Sequence, residues 1–159
     1  MKISPLRQEL IPQVIDLMEL GEPYIRPRTY SDYWLYATLF SSTCLVATID
    51  DTLAGAVMAF RSQDTPGDVY IQDVMTHPSY RQRGVSKTLI AAVRDQAVSW
   101  DAKRLYLTSE PDNTAAHAAW PAMGFVNQPT SDYKVNDIWV TSDFKGPGKD
   151  RAVYEQHLT

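Results

Sequence analysis

The stretch Asp73-Val74-Met75-Thr76-His77-Pro78-Ser79-Tyr80-Arg81-Gln82-Arg83-Gly84-Val85-Ser86 passes from a strand pattern to a helix pattern through a basic turn. His77-Pro78 ends the extended run, because proline restricts its predecessor and offers no ladder donor. From Gly84 to Trp100 the residues Val85, Leu89, Val93, Ala97 and Trp100 share one helical face, with Lys87, Arg94 and Asp95 off it. A helix start has unpaired N–H groups and partial positive charge, which suits a diphosphate. Gly84 lets a ligand approach the backbone without a Cβ in the way, and Arg81, Arg83 and Lys87 add charge. Taken alone, the turn also fits an ordinary strand-to-helix connection with a solvated basic cluster, since short glycine motifs are unspecific. The Walker pattern and the dinucleotide fingerprint are both absent.

Outward from this turn, periodicity predicts the other elements. Lys2–Arg7 reads as a first strand, kept early or at an edge by Pro5. Leu10, Val14, Leu17 and Met18 predict a helix over Glu9–Leu20, stopped at Gly21. Two prolines break Glu22–Arg28, and Ser31 is expected to cap a second helix running to about Phe40. Cys44–Ile49 and Leu53–Arg61 read as a hairpin across Asp50-Asp51-Thr52. After a turn at Gln63–Gly67, Asp68–Thr76 is the strand that enters the basic turn. Arg104–Ser109 predicts a strand, Asn113–Met123 a helix ended by Gly124, and Phe125-Val126 the start of another strand. Asn127–Asp150 is loop-rich, and Arg151–His157 alternates like a last strand. The expected fold is α/β, a mixed and mostly antiparallel sheet of about six to seven strands flanked by about four helices, in one domain spanning 1–159.

Bulk properties narrow the function. The chain has 159 residues, 44% of them apolar, and a net charge of −4. A mildly acidic surface argues against nucleic acid or anionic membrane as the main partner. Cys44 is the lone cysteine, which excludes an internal disulfide and a multi-thiolate metal site; no metal is expected. No apolar run reaches membrane-spanning length and no signal pattern opens the chain, so the cytoplasm is the expected compartment.

The stretch from Asp73 to Ser86 resembles the acetyl-CoA-binding motif of the GNAT acetyltransferase superfamily, Gln/Arg-x-x-Gly-x-Gly/Ala. Arg81 and Gly84 match, while Ser86 stands where Gly or Ala is usual. A second block, Leu105-Tyr106-Leu107 through Asn113, Ala116 and Met123-Gly124-Phe125, is similar to a later motif of that family, and the element order agrees over the whole chain. The resemblance implies acetyl-CoA as co-substrate. It places the backbone of Val74, Met75 and Thr76 beside the pantetheine arm and the amides of Gln82, Arg83, Gly84, Val85, Ser86 and Lys87 at the pyrophosphate. It also assigns Asn113, Ala116 and Trp120 to the cofactor side. Asn113 suits a helix cap equally well.

Acetyl transfer needs a neutral amine. An alkyl ammonium with a pKa near 10.4 loses its proton at pH 7 at a cost on the order of 4.6 kcal/mol. The leaving thiol, with a pKa of about 8.5, departs largely as thiolate, so a general base matters more than a general acid. Asp73 is the first candidate. Strand alternation places it in a row with Val69, Ile71 and Met75, where desolvation raises a carboxyl pKa. A solvated strand-end carboxylate or a salt bridge is the plainer alternative. Glu110, at the end of the next strand, is the second candidate. Many members of the family carry a Tyr acid four residues before the Gly-Phe pair; here that position is Trp120, and Pro121, which follows it, is expected to remove a helix hydrogen bond to His117 and kink the helix. An indole N–H is not a usable acid. Tyr80 or Tyr133 would have to replace it, or the thiolate leaves unassisted. His117 and His77 read more simply as structural or solvated.

In this family the first two helices and their connection shape the acceptor site. Here that stretch contains Tyr24, Arg26, Arg28, Tyr30, Tyr33, Trp34 and Tyr36, with Tyr30, Tyr33 and Trp34 the expected substrate contacts. A local similarity to diaminobutyrate acetyltransferases over Tyr33–Ala47 and Gln72–Val74 points to a small diamine or amino acid. The expected partner is a small-molecule amine; a homodimer and a lid role for Asn127–Asp150 stay open. The alternatives are a non-catalytic acyl-CoA sensor of the same fold, and acetylation of a protein or peptide terminus.

Overall fold

A computed structural model describes all 159 residues. Seven strands form one sheet in the order β1-β2-β3-β4-β5-β9-β6, and β7 and β8 form a separate hairpin. The strands are β1 (Lys2–Pro5), β2 (Cys44–Ile49), β3 (Thr52–Arg61), β4 (Asp68–Thr76), β5 (Arg104–Ser109), β6 (Val126–Asn127), β7 (Tyr133–Val135), β8 (Ile138–Val140) and β9 (Ala152–His157). The helices are α1 (Ile11–Glu19), α2 (Tyr30–Leu39), α3 (Val85–Ser99) and α4 (Thr114–Ala122). Only β4 and β5 pair in parallel; every other ladder is antiparallel. This is the expected α/β architecture.

The sheet separates two cores. Leu89, Ile90 and Val93 of α3 pack with Val57, Ile71, Leu105 and Tyr154 on one face. Val14 and Met18 of α1 and Tyr33 of α2 pack with Val46, Met58 and Met75 on the other. The amphipathic α1 and α3 thus bury their apolar stripes against the period-2 pattern of the sheet. Gly55 of β3 is where α3 comes closest. A Cβ there would lie 2.6 Å from Val85 Cγ1 and 2.8 Å from the Met75 carbonyl.

Three local expectations are corrected. The cap of α2 is Thr29, not Ser31: its side chain accepts from the Asp32 amide while the Asp32 carboxylate accepts from the Thr29 amide, a reciprocal box. The loop-rich Asn127–Asp150 contains the β7–β8 hairpin, turned at Asn136 and Asp137, both at positive φ; strands of three residues are too short to show a period. Pro121 does not kink α4 midway, because the helix ends one residue later.

The fourth correction shapes the site. Ala59 pairs with Ile71 but Met58 pairs with Asp73, so Gln72 is an extra residue, a bulge in β4. Across the bulge the alternation inverts. Val69 and Ile71 face the α3 core, whereas Met75 joins the α1/α2 core and Val74 turns to the α3 side. The single row of Val69, Ile71, Asp73 and Met75 is therefore split, and Asp73 goes with Met58 and Met75.

Candidate active site

Downstream of the bulge, β4 and β5 part. Their parallel ladder runs from Asp68–Arg104 to Ile71–Leu107 and stops, although β4 continues to Thr76 and β5 to Ser109. The gap between them is a cleft of about 140 Å³ at the carboxyl ends of the two parallel strands. The His77 amide donates to Ala54 of β3. By the two-residue alternation of a strand, the backbone groups of Val74 and Thr76 point away from β3, toward the gap. Met75, on the opposite phase, gives its backbone to β3 and its side chain to the core. Met75 is not among the residues that line the cleft.

Beyond Thr76 the chain turns into α3. Gln82 has φ of 64° and Gly84, the residue before the helix, has φ of 74°. Both are left-handed, a conformation that glycine adopts freely and other residues at a cost. A Cβ on Gly84 would meet no protein atom within 4 Å, so the turn opens to an unfilled space. No side chain caps α3, and its first amides, at Val85, Ser86 and Lys87, are free to accept an anion. Arg81, Gln82, Arg83 and Lys87 are exposed; the Arg83 guanidinium lies 5.3 Å over the Tyr80 ring. Ser86 Oγ is 2.6 Å from Thr76 Oγ1, which ties the helix start to the end of β4. A glycine or alanine there could not make that bond.

Asp73 lines the cleft and is 7% exposed. Its Oδ2 is buried without a hydrogen-bond partner, and Arg28 Nε stands 3.5 Å away, an ion-pair distance. Burial holds its pKa above the usual aspartate value; Arg28 and Lys145, nearby cations, oppose that rise. Glu110 also lines the cleft and is half-buried. Asn113 caps α4 through the Ala116 amide at 3.2 Å and faces the same space. Ala116 is held by that bond and does not line the cleft.

Trp120 donates its indole N–H to the buried Ser109 hydroxyl at 2.8 Å and borders the cleft. That proton is committed to the fold. Neither Tyr133 nor Tyr80 lines the cleft: the Tyr133 hydroxyl is bonded to Asp150, and Tyr80 packs against the α3 core. His117 is structural. Its Nε2 faces the Pro111 carbonyl at 3.0 Å, which can only accept, and its Nδ1 meets the Tyr154 hydroxyl at 2.8 Å.

None of the three expected acceptor residues, Tyr30, Tyr33 and Trp34, lines the cleft. Tyr33 is fully buried in the α1/α2 core, and burial pushes its pKa up to about 12. Tyr30 and Trp34 are exposed on α2, away from the cleft. The α1–α2 connection supplies Tyr24, Ile25 and Arg28 instead. Tyr33 acts at one remove, since its hydroxyl accepts from the Arg28 amide at 3.0 Å. The Tyr24 hydroxyl donates to the Asp112 carbonyl at 3.1 Å, strapping this loop to the β5–α4 loop. Lys145 and Arg151 complete the lining from the far end of the chain. The aromatic stretch hinted at Tyr24 and Arg28; nothing in the sequence signalled Lys145 or Arg151. No three His, Cys, Asp or Glu side chains converge, and no helix is long and apolar enough to cross a membrane.

Residues 11–125 match the family model described as Acetyltransferase (GNAT) family. The chain belongs to that family. It is 30% identical over 91 residues to the L-2,4-diaminobutyric acid acetyltransferase of Nocardia farcinica, covering 57% of this chain and 47% of that one. It is 34% identical over 62 residues to the aminoglycoside N(6')-acetyltransferase type 1 of Salmonella typhimurium, covering 39% and 43%. The matches thus span about half the length of these relatives. In fold it superposes on the diaminobutyrate acetyltransferase of Paenibacillus lautus, solved with its substrate and coenzyme A, with a TM-score of 0.78 over 97% of this chain and 92% of that one, at 18% identity. The ribosomal-protein-S18-alanine N-acetyltransferase of Escherichia coli has a TM-score of 0.72 over 99% and 94%, at 14% identity. Small-molecule and protein-directed enzymes therefore share this fold.

Proposed function

We propose that this protein moves an acetyl group from acetyl-CoA to the primary amine of a small molecule by direct transfer. The observation that carries the reading is that β4 runs from the cleft where it parts from β5 straight into the uncapped α3 turn, with the buried Asp73, whose Oδ2 has no hydrogen-bond partner, lining that cleft. The amides of Gln82 to Lys87 hold the pyrophosphate, with Arg81, Arg83 and Lys87 supplying charge. The pantetheine arm runs along the free edge of β4, where Val74 and Thr76 offer the backbone groups that β5 no longer uses. Asn113 and Trp120 flank it, with Ala116 behind as the residue Asn113 caps.

Asp73 takes a proton from the ammonium, directly or through a water, and Glu110 is the alternative base. The nitrogen attacks the thioester carbon, the adduct's positively charged nitrogen gives its second proton to water, and the tetrahedral adduct collapses with the C–S bond breaking to release thiolate and a neutral amide. Thiolate leaves without an acid, because the Trp120 N–H is bonded to Ser109. The closed strap at Tyr24 and the small cleft favour a small acceptor over a peptide.

The assay is release of free thiol from acetyl-CoA across amines, amino acids and peptides. Amine-dependent release is expected. Acetyl-CoA binding with no turnover across the panel would instead make this chain an acyl-CoA sensor. A complex in which the Gln82–Lys87 amides do not face the diphosphate would refute the cofactor placement.

A further inference from the structure

Three cationic side chains, Arg28, Lys145 and Arg151, line the same cleft as Asp73 and Glu110. Lys145 and Arg151 have no carboxylate within 4.0 Å. Lys145 Nζ rests 5.0 Å over the Tyr70 ring, and the Arg151 guanidinium donates only to the Asp150 carbonyl. Arg28 meets Asp73 at 3.5 Å, outside hydrogen-bond geometry, so its guanidinium also keeps free donors.

The cofactor does not account for this charge. Its phosphates belong at the α3 turn, beyond Thr76, which lies about 10 Å along β4 from Asp73 at strand spacing. The arm and the thioester that reach Asp73 are uncharged. A purely cationic acceptor, such as a polyamine, would meet three positive groups against only two carboxylates, Asp73 and Glu110. An acceptor carrying an anion near its amine would find a partner for each end. Resting on the acetyltransferase reading above, we propose that the acceptor is a small amino acid. Its carboxylate is held by Lys145 and Arg151, with Arg28 between the two charges, and its reacting amine lies at Asp73. Asp73 Oδ2, buried and without a hydrogen-bond partner, is the acceptor atom such an ammonium would fill.

The test compares acceptors that differ only by the carboxylate: 2,4-diaminobutyrate with 1,3-diaminopropane, ornithine with putrescine, and lysine with cadaverine, alongside the α-carboxamides of the same amino acids. The expected result is kcat/KM at least tenfold higher for the carboxylate-bearing member of every pair that reacts. Lys145→Gln and Arg151→Gln should shrink that ratio to within about threefold, through KM. Diamines or carboxamides turned over as well as the amino acids would overturn the proposal and leave acetyl transfer standing. If no acceptor reacts, calorimetry on the CoA-loaded protein decides. Binding of amino acids but not diamines would retain the carboxylate site while sinking acetyl transfer, and binding of neither would overturn both.

Discussion

Replacing Asp73 by Asn keeps the shape of the cleft and removes the only buried carboxylate oxygen in it without a hydrogen-bond partner. The magnitude follows from proton bookkeeping. An alkyl amine with a pKa of about 10.4 is neutral in only about one molecule in 2,500 at pH 7. On the proposed mechanism, wild-type protein binds the abundant ammonium and gives its proton to Asp73. The Asn variant must wait for the rare neutral amine, so kcat/KM at pH 7 should fall by about 10³, on the order of 4 kcal/mol, within the usual range for a general base. The pH profile carries the sharper signature. Wild type should show a plateau between the raised Asp73 pKa and that of the amine, falling below it as the carboxyl protonates. The variant should climb tenfold per pH unit until the two curves converge near pH 10. The assay is initial-rate thiol release against pH at saturating acetyl-CoA. A variant that keeps the plateau at near wild-type height would refute Asp73 as the base and move attention to Glu110. Stability supplies a control with a defined sign. A carboxyl whose folded pKa is raised contributes stability that is present at low pH and lost as pH rises through the folded value. The Asn variant should therefore be the more stable protein at neutral pH and lose that advantage below the unfolded aspartate pKa of about 3.9. Arg28, whose side chain is 42% exposed, is left to solvent.

The remaining predictions concern the frame of the site. Gly55→Ala places a Cβ 2.6 Å from Val85 Cγ1 and should push the start of α3 off β3. A loss of about 1–3 kcal/mol is expected, read as a fall of several degrees in a thermal melt, together with weaker acetyl-CoA binding by calorimetry; a wild-type melt would show that the contact relaxes freely. Thr29→Ala removes one half of the box that starts α2 and should cost about 1 kcal/mol in urea unfolding. An unchanged midpoint would mean that the tertiary packing of Tyr33 alone holds the helix start.

Much of the fold was legible because it rests on local rules. The β4 strand, the αL glycine and the amphipathic α3 were each written in a few consecutive residues. Even Trp120 in place of an acidic hydroxyl could be read, since residue identity alone says what an indole cannot donate. What could not be read was register. The pattern Val69, Ile71, Asp73, Met75 looks like one uninterrupted face, and only pairing with β3 shows that Gln72 is extra and that Asp73 has changed sides. Tyr33 likewise looked like a pocket wall. Its burial follows from how α2 lies on α1, which its own apolar pattern on every side does not specify.

The acceptor end shows the division most clearly. By itself the sequence determined the basic turn, the strand leading into it and the acid three residues before that strand ends, because these lie within one short segment and obey backbone geometry. Only the tertiary structure decided that β4 and β5 part after Ile71 and Leu107, and that Arg28, Lys145 and Arg151 meet around Asp73. Arg28 lies more than a hundred residues before Lys145 and Arg151. Their meeting is set by chain reversal and sheet order, to which no local periodicity corresponds.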